Sequence, residues 1–308
     1  MLTAAKQLIT PRAINGTQLT VCDLCAAPGP FIRVTRSQSQ PESLLQRIGV
    51  HEVQHTVLCS VCGWVFKPLV LTSDQNRELY SLVGGTNTYD TSSHWQTRRR
   101  AGGIFNRVVA YQSGVSKTMR VLDVGGGVGQ ASFAFAENGN EVHILDIATG
   151  ATLHPRIVVH ASSLEAFQTD VQYSVAVVAH VLEHLWSPST ALKKIRDLLV
   201  LDGVIYIEVP FELYTPLVLR KPGDVAHVGY FSRRSLKAFL TNAGFGDIAT
   251  TFRLDTYGLR KVVVISALAK KTGCSQAATP PKRQLGRLHL AYDLLSLKQI
   301  LFTVAARL

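Results

Sequence analysis

The residues best suited to chemistry in this sequence are a run of glycines behind a short apolar segment. Residues 119–130 read MRVLDVGGGVGQ, in which Gly125, Gly127 and Gly129 follow the acid Asp123. A strand that turns through glycines into a helix presents bare backbone N–H groups and a helix N-terminus to a ligand. The missing side chains allow close approach, and glycine tolerates the positive φ that such turns often need. This stretch therefore predicts a cofactor-binding turn.

A second acid follows one predicted strand later. The apolar-rich segment 141–145 ends at Asp146, and an acid at the tip of a second strand can accept hydrogen bonds from both ribose hydroxyls. NAD, FAD and S-adenosylmethionine all carry that ribose. The spacing D-x-G-x-G-x-G differs from the dinucleotide pattern G-x-G-x-x-G, which favours a nucleoside cofactor without phosphates. A glycine turn without a ligand is the alternative, and the accompanying acid argues against it.

Four of the five cysteines form two C-x-x-C pairs, Cys22 with Cys25 and Cys59 with Cys62. Two such pairs offer four thiolates at about 2.3 Å from a tetrahedral Zn²⁺. A redox dithiol needs only one pair, and disulfides are rare in a reducing cytosol. We therefore predict a structural zinc site, with redox-active or incidental cysteines as the alternative. Cys274 is left over.

Length, composition and charge limit the classes of protein. The chain has 308 residues, 46% of them hydrophobic, and a formal net charge of +11. This length predicts one large domain with a small one, or two modest domains, and the hydrophobic content excludes a disordered protein. The charge favours an acidic partner such as nucleic acid, a phosphorylated substrate or an anionic membrane. The basic residues are dispersed apart from residues 98–100 and the C-terminal segment, which argues less for a nucleic-acid groove.

The sequence shows no charged-then-apolar leader and no apolar span long enough to cross a bilayer. A cytoplasmic protein is therefore predicted.

Two helices are predicted before the glycine-rich turn. The first covers 72–83, with Ser73 or Asp74 as its N-cap. The second covers 94–111 and is expected to be interrupted at Gly102-Gly103. The arginines at 98–100 are interpreted as a solvated face, and the alternative is a lid that meets an anionic substrate.

From residue 120 onward, predicted strands and helices alternate, as a doubly wound sheet requires. After the first two strands, the predicted strands cover 156–159, 175–179, 204–209, 248–254 and 261–268. The last two are separated by a short turn and should pair antiparallel. A helix capped by Ser232 should end before Gly244.

Several segments in this order resemble class I S-adenosylmethionine-dependent methyltransferases: VLDVGGGVG, Asp146, VAVVAHVLEHL, GVIYIEVP and HVGYFSRRSLKAFLTNAGF. The resemblance covers roughly residues 120–268. It implies an α/β fold with a Rossmann-like seven-stranded methyltransferase sheet, in which the last strand is antiparallel. A small zinc-ribbon-like module is expected to precede this domain in the chain. With the two C-x-x-C pairs, the chain is similar to the subgroup that includes bacterial sugar C-methyltransferases and surface-glycan methyltransferases.

The resemblance assigns roles in binding S-adenosylmethionine. The three glycines would pack against the methionyl part of the cofactor, and Asp123 would orient its ammonium, directly or through water. Asp146 would hold the ribose hydroxyls, while Ser163 and Leu164 would flank the adenine. Ala179 would line the sulfonium end of the site.

Methyl transfer displaces a cationic sulfur in line, so the protein must align the acceptor and remove its proton. A base that works near neutral pH favours histidine. His227, in the loop after the fifth strand, is the predicted base, and the alternative is that it only fixes the loop. His180, which the resemblance places at the sulfonium end, is the second catalytic candidate. Sugar C-methyltransferases carry a Glu-His pair where this chain has Ala226-His227.

Four regions are predicted along the chain. They are a zinc-binding module over 1–71, a helical linker or lid over 72–118, the methyltransferase domain over 119–270, and a linker with an amphipathic helix over 271–308. In the last region, apolar residues recur at helical spacing from Leu285 to Leu295. This helix is expected to dock on the domain or on a second copy, or alternatively to lie on the inner leaflet of a membrane.

These features predict a methyltransferase that acts on a small molecule, most simply a sugar that is linked to a nucleotide or lies within a glycan. The first alternative is an RNA methyltransferase whose zinc module binds the substrate, which the net charge favours. The second alternative is a non-catalytic adaptor with the same fold.

Overall fold

A computed structural model describes nine stretches of the chain: residues 8–9, 17–35, 43–84, 94–112, 118–147, 152–217, 219–221, 223–257 and 260–273. The described residues form two compact units. The first lies within 1–87 and 211–235, and the second within 88–210 and 236–278. The predicted C-terminal helix and Cys274 lie outside the described residues.

The strands, in chain order, are β1 (Leu8–Ile9), β2 (Thr17–Gln18), β3 (Phe31–Arg33), β4 (Val57–Leu58), β5 (Val65–Phe66), β6 (Leu69–Val70), β7 (Arg120–Val124), β8 (Glu141–Asp146), β9 (Ile157–Ala161), β10 (Tyr173–Ala179), β11 (Leu199–Pro210), β12 (Gly229–Tyr230), β13 (Phe245–Tyr257) and β14 (Arg260–Lys271). The helices are α1 (Ser43–Arg47), α2 (Ser73–Gly84), α3 (His94–Tyr111), α4 (Phe133–Glu137), α5 (Pro188–Leu198), α6 (Tyr214–Leu217) and α7 (Arg233–Asn242). Within the part of the chain that the structure describes, no helix combines the length and hydropathy needed to cross a bilayer.

The first unit contains a small antiparallel sheet in the order β1-β3-β4-β5-β12. Its core is aromatic: Trp64 stacks on Phe66 with ring centroids 4.5 Å apart, and Phe31 meets Phe66 edge-on at 4.9 Å. Such pairs add about 1 kcal/mol each to the free energy gained from burial. They let a module with few regular elements pack a core.

The segment 211–235 belongs to the first unit, although the sequence placed it in the methyltransferase domain. Its strand β12 pairs with β5, with Gly229 opposite Phe66. The backbone N–H of Lys67 also donates to the Val228 carbonyl at 2.8 Å. Backbone pairing between residues some 160 positions apart leaves no local sequence signal, so the predicted boundaries could not include it.

The second unit is built on a seven-stranded sheet in the order β13-β14-β11-β10-β7-β8-β9. The five strands from β7 to β11 run parallel, and β14 is antiparallel to both β11 and β13. This confirms the predicted Rossmann-like methyltransferase sheet and the antiparallel pairing of the last two strands. Residues 175–178 are fully buried, as expected of a central parallel strand.

Two predicted helices differ from the structure in detail. Helix α2 is capped by Thr72 rather than by Ser73 or Asp74. The Thr72 hydroxyl accepts the Gln75 N–H at 3.2 Å, and the Gln75 side chain accepts the Thr72 N–H at 3.0 Å, which forms a capping box. Helix α3 runs without a break through its two glycines.

Helix α3 is continuous because its packing outweighs the preference of glycine for other conformations. Ala101, Ile104 and Val108 are completely buried, and the last two belong to the core cluster that covers one face of the sheet. Each glycine costs roughly 1 kcal/mol relative to alanine within a helix. Burial of a single large apolar side chain contributes about 1.5–3 kcal/mol, which exceeds that cost.

The interpretation of the arginine run as a solvated face is wrong for Arg100. Its side chain is only 12% exposed and contacts the carboxylates of Glu208 at 2.8 Å and Asp255 at 3.0 Å. Arg98, by contrast, is 57% exposed, pairs with Glu137 at 2.6 Å and lies over the Phe133 ring. The two arginines are two residues apart on a helix, so they face different directions.

This difference predicts unequal stability losses for matched substitutions. Arg100→Ala removes a buried cation that contacts the carboxylates of both Glu208 and Asp255, and it should lower the free energy of unfolding by about 3–5 kcal/mol. Arg98→Ala removes an exposed pair and should cost about 1 kcal/mol or less. Urea denaturation monitored by far-UV circular dichroism measures both. Equal losses for the two variants would contradict the assignment of Arg100 to a buried ion-pair network.

Candidate functional site

The glycine-rich turn follows β7 and packs tightly against its neighbours. The Gly125 N–H donates to the Leu145 carbonyl at 2.8 Å, which ties the turn to the end of β8. Gly125 has a φ of +65°, and a Cβ at this position would lie 2.6 Å from a methyl carbon of Val181. Gly129 has a φ of +96°, and its Cβ would lie 2.8 Å from Ile157. Any larger residue at these two positions would strain the backbone and displace its neighbours.

Asp146 and the turn are in direct contact. The N–H of Gly127 donates to the Asp146 carboxylate at 2.8 Å, which fixes the direction of that side chain. The Asp146 carbonyl accepts the Ser162 N–H at 3.1 Å. The next two residues are Ser163, whose hydroxyl caps a turn by accepting the Ala166 N–H at 3.2 Å, and the buried Leu164. The structure thus brings the predicted cofactor-binding residues of β7, β8 and β9 to one edge of the sheet.

Asp123 lies directly beneath the turn. It is 1% exposed, and a Cβ on Gly126 would lie 2.6 Å from its Oδ2 atom. Burial raises the pKa of Asp123 to about 7. The nearby Ser132 hydroxyl partly offsets this rise, but the Asp123 Oδ2 atom makes no hydrogen bond of normal geometry among the described residues. A buried carboxylate oxygen without a donor is costly, and a cationic amino group would satisfy it.

The glycine turn, Asp123 and Asp146 together fit the predicted nucleoside cofactor. The turn offers backbone close to a ligand, Asp123 offers an acceptor for an ammonium, and Asp146 offers an oriented carboxylate beside the turn. These three features lie at the carboxyl ends of adjacent parallel strands, where open α/β sheets bind ligands.

His180 follows Ala179, the last residue of β10. Its φ of +57° is rare for a residue with a side chain, and its N–H donates to the Glu208 carbonyl at 2.8 Å. Its ring nitrogens lie 3.3 Å from the carboxylates of Glu183 and of Glu208. Burial lowers the pKa of His180, but the hydrogen bonds to the two carboxylates outweigh it and raise the pKa to about 9. The ring is therefore cationic at neutral pH, which makes it unsuited to remove a proton from an acceptor.

Glu208 is the centre of a buried polar network that sequence reasoning missed. Its carboxylate contacts Arg100 at 2.8 Å, Arg253 at 3.1 Å and the Tyr206 hydroxyl at 2.6 Å. Burial alone would raise the pKa of Glu208, but His180 and Arg100 hold it well below its usual range. A charged residue within the apolar run GVIYIEVP was the only signal in the sequence.

The four paired cysteines converge in the first unit. The Sγ atoms of Cys22 and Cys62 are 3.6 Å apart, those of Cys25 and Cys59 are 3.7 Å apart, and all four lie within 4.8 Å of one another. Disulfide sulfurs would be about 2.05 Å apart. Four sulfurs at about 2.3 Å from a tetrahedral metal ion are roughly 3.8 Å apart, so the cluster has the dimensions of a metal site.

Both C-x-x-C pairs turn in the same way. The Ala26 N–H donates to the Cys22 carbonyl at 2.8 Å, and the Gly63 N–H donates to the Cys59 carbonyl at 2.9 Å. Ala26 and Gly63 both have positive φ, +55° and +80°. The two turns therefore present their thiols through the same backbone geometry, which suits two halves of one tetrahedral site.

His227 also lies in the first unit and contacts a residue that the sequence analysis did not single out. Its Nδ1 atom is 2.6 Å from the Glu212 carboxylate. The His227 N–H donates to the Asp224 carbonyl at 3.3 Å, and the Ala226 N–H donates to the Asp224 carboxylate at 2.9 Å. The histidine ring is thus held by a carboxylate 15 positions earlier in the chain.

About half of the chain matches a known protein family. Residues 94–250 match the family described as a methyltransferase domain. A comparison with curated proteins found no significant match.

Three methyltransferases are among the solved structures to which the chain is similar. The 1,6-didemethyltoxoflavin-N1-methyltransferase of Burkholderia thailandensis is 16% identical with a TM-score of 0.47, over 68% of this chain and 96% of that chain. The magnesium protoporphyrin IX methyltransferase of Synechocystis is 18% identical with a TM-score of 0.42, over 63% and 92%. An N-methyltransferase of Bradyrhizobium japonicum is 15% identical with a TM-score of 0.43, over 62% and 97%. Each was solved with bound S-adenosylhomocysteine.

The buried Asp123 predicts a pH-dependent affinity for S-adenosylmethionine. Its carboxyl group is mostly neutral at pH 6 and mostly ionised at pH 7.5, because its pKa in the free protein is about 7. Only the anion pairs with the ammonium, so the affinity should rise roughly five- to tenfold between these two pH values. Isothermal titration calorimetry at both pH values measures the effect.

Two variants test the origin of this dependence. Asp123→Asn should bind more weakly and with the same affinity at both pH values. Asp146→Asn, the matched control, should bind more weakly but keep the pH dependence. A pH dependence that persists in Asp123→Asn would show that another group is responsible.

Proposed function

Because this chain belongs to the methyltransferase domain family, we propose that it methylates a small molecule, most simply a sugar that is linked to a nucleotide or lies within a glycan. The protein is an S-adenosylmethionine-dependent methyltransferase. The observation that carries the proposal is the glycine turn with two acids at one sheet edge, where the Gly127 N–H orients the Asp146 carboxylate at 2.8 Å.

The chain's own residues have separate tasks in binding the cofactor. Asp123 holds the ammonium of the methionyl part, because its buried Oδ2 would otherwise lack a donor among the described residues. Asp146 holds the ribose hydroxyls, since its carboxylate is already directed by the turn. Ser163 and Leu164 flank the adenine, and Ala179 lines the sulfonium end.

The bound cofactor supplies a methyl group on a cationic sulfur. The acceptor must lose a proton to attack it, and His227 is the residue of this chain that takes the proton. His227 follows β11 in the chain and is in contact with Glu212 at 2.6 Å. A histidine fixed by a carboxylate is a common arrangement for a general base.

His180 is assigned a supporting role rather than that of a base. The imidazolium pairs with the carboxylates of Glu183 and Glu208. Glu208 also contacts two arginines. With its ring held between two carboxylates, His180 fixes the end of β10 beside the cofactor. This replaces the catalytic role predicted for it from the sequence.

The sugar acceptor is supported by the resemblance to sugar and surface-glycan methyltransferases and by the N-terminal four-cysteine module. The RNA alternative rests on the net charge of +11. It is weakened because two of the three clustered arginines, Arg98 and Arg100, are paired with carboxylates of the same unit. A non-catalytic adaptor would not need the two acids and the glycines of the cofactor site. This chain has all of them, which argues against the adaptor alternative.

The four cysteines are proposed to hold one structural Zn²⁺. Their number closes a tetrahedral shell, so the ion would have no open position for catalysis. Its role is to stabilise the first unit, because so small a core seldom suffices alone.

Purified protein should contain about one zinc ion per chain by atomic absorption. The double variant Cys22→Ser, Cys59→Ser should lose the metal and unfold at a lower temperature, because the first unit loses its crosslink. Cys274→Ser, the matched control for loss of a thiol, should keep the metal. Full zinc content in the double variant would contradict the four-cysteine site.

Methyl transfer to a sugar predicts that labelled S-adenosylmethionine will label pooled nucleotide sugars but not total RNA. His227→Gln should lower kcat by about 10²–10⁴-fold because the base is lost, while cofactor affinity is unchanged. Scintillation counting of the separated products measures the transfer.

His51→Gln, an exposed histidine of the same unit, serves as the control and should retain full activity. Label in RNA alone would overturn the sugar proposal. A fully active His227→Gln enzyme would overturn the assignment of the base.

A further inference from the structure

Glu212 and His227 both lie in the segment 211–235 of the first unit, and their side chains form a short polar contact. The Nδ1 atom of His227 is 2.6 Å from Oε2 of Glu212, and both side chains are at least two-thirds buried. An ionised carboxylate only accepts hydrogen bonds, so Nδ1 must carry the hydrogen of this contact. In the neutral ring Nε2 is then the nitrogen that can take up a proton.

The backbone around His227 is anchored without any help from Glu212. The ammonium of the buried Lys67 donates to the Asp224 carbonyl, and the Lys67 N–H donates to the Val228 carbonyl at 2.8 Å. The strand β12 begins two residues after His227 and pairs with β5. Loss of the Glu212 carboxylate should therefore remove the contact at Nδ1 of the ring without displacing the loop that carries it.

Glu212 is likewise placed by local structure. Its carbonyl accepts the Thr215 N–H at 3.0 Å, in the turn that leads into α6. The position of its backbone therefore depends on this turn and not on the ion pair. The contact therefore joins two residues whose backbones are held by separate hydrogen bonds.

We propose that Glu212 is a positioning residue that holds the His227 ring in the tautomer and orientation required to deprotonate a hydroxyl acceptor. The inference rests on the proposed function, in which His227 is the base. In the step, the hydroxyl proton passes to Nε2 and an oxygen lone pair forms the bond to the methyl carbon. The sulfur–carbon bond breaks with its electron pair left on sulfur, and the proton then passes from His227 to solvent. The carboxylate stabilises the imidazolium between these events.

This arrangement favours an acceptor that must lose a proton, such as a hydroxyl, over an amine. A sugar hydroxyl is a very weak acid, so its oxygen becomes a good nucleophile only as its proton leaves. A neutral amine already has an available lone pair and has less need of an oriented base. The Glu212–His227 pair therefore favours O-methylation over N-methylation.

The first readout is the tautomer of His227 in the full-length protein, measured by ¹⁵N NMR after labelling with ¹⁵N-histidine. The wild-type ring should be the Nδ1–H tautomer. Glu212→Gln keeps the size of the side chain but adds an amide donor, so the ring should become a mixture of tautomers. Asp74→Asn, which removes an exposed carboxylate of the same unit that pairs with Arg77, should leave the signal unchanged.

The second readout is steady-state kinetics with labelled S-adenosylmethionine and pooled nucleotide sugars. Glu212→Gln should lower kcat by about 10²-fold, the order expected for loss of a group that orients another. The KM for the cofactor should stay within about twofold, because Glu212 is not assigned to cofactor binding. Glu212→Asp keeps the charge and should recover part of kcat, and Asp74→Asn should match the wild type.

The two readouts separate failure of this inference from failure of the proposed function. An unchanged tautomer in Glu212→Gln overturns the positioning role, even in an active enzyme. Loss of kcat in Glu212→Gln with no recovery in Glu212→Asp and no change in tautomer overturns it as well. In a further outcome, the wild type transfers no methyl group to sugars while the His227 tautomer still changes in Glu212→Gln. That result refutes the proposed function and supports the orientation of His227 by Glu212.

Discussion

The buried carboxylate of Glu208 constrains the position of several elements of the second unit. A charge without solvent must be matched by opposite charges and hydrogen bonds, or the fold loses several kcal/mol. The Glu208 carboxylate contacts Arg100 on α3, Arg253 on β13 and His180 at the end of β10. One acid on the central part of the sheet thus decides where a helix packs and how the residue after β10 is oriented.

The first unit solves a different problem, because it has short strands and a small core. The four cysteine sulfurs lie within 4.8 Å of one another, and three residues after Cys62 the chain enters β5, which pairs with β12. The same region supplies Lys67, whose ammonium and backbone N–H both bind the segment that carries His227. The N-terminal region therefore holds the segment that carries the proposed base. In the proposed function this region thus supports the base and does not need to bind nucleic acid.

The accuracy of sequence reasoning depended on how local the relevant signal was. The turn after Asp123 and the strand ending at Asp146 were predictable because glycines, apolar runs and their spacing are local. The continuity of α3 was not, because burial of its apolar face offsets two glycines. The environment of Arg100 was not predictable either, since its partners on β11 and β13 are more than 100 positions away.

The sequence by itself determined which segments form the strands of the large sheet and which residues suit a nucleoside cofactor, because these follow from periodic apolar patterns and glycine spacing. The order of the strands in the sheet came from the tertiary structure. Only the tertiary structure decided which titratable groups act together. It placed His180 between two carboxylates, which makes it a cation, and it placed Glu212 against His227. Protonation depends on burial and on charges a few ångströms away, and only folding brings together groups that lie far apart in the chain.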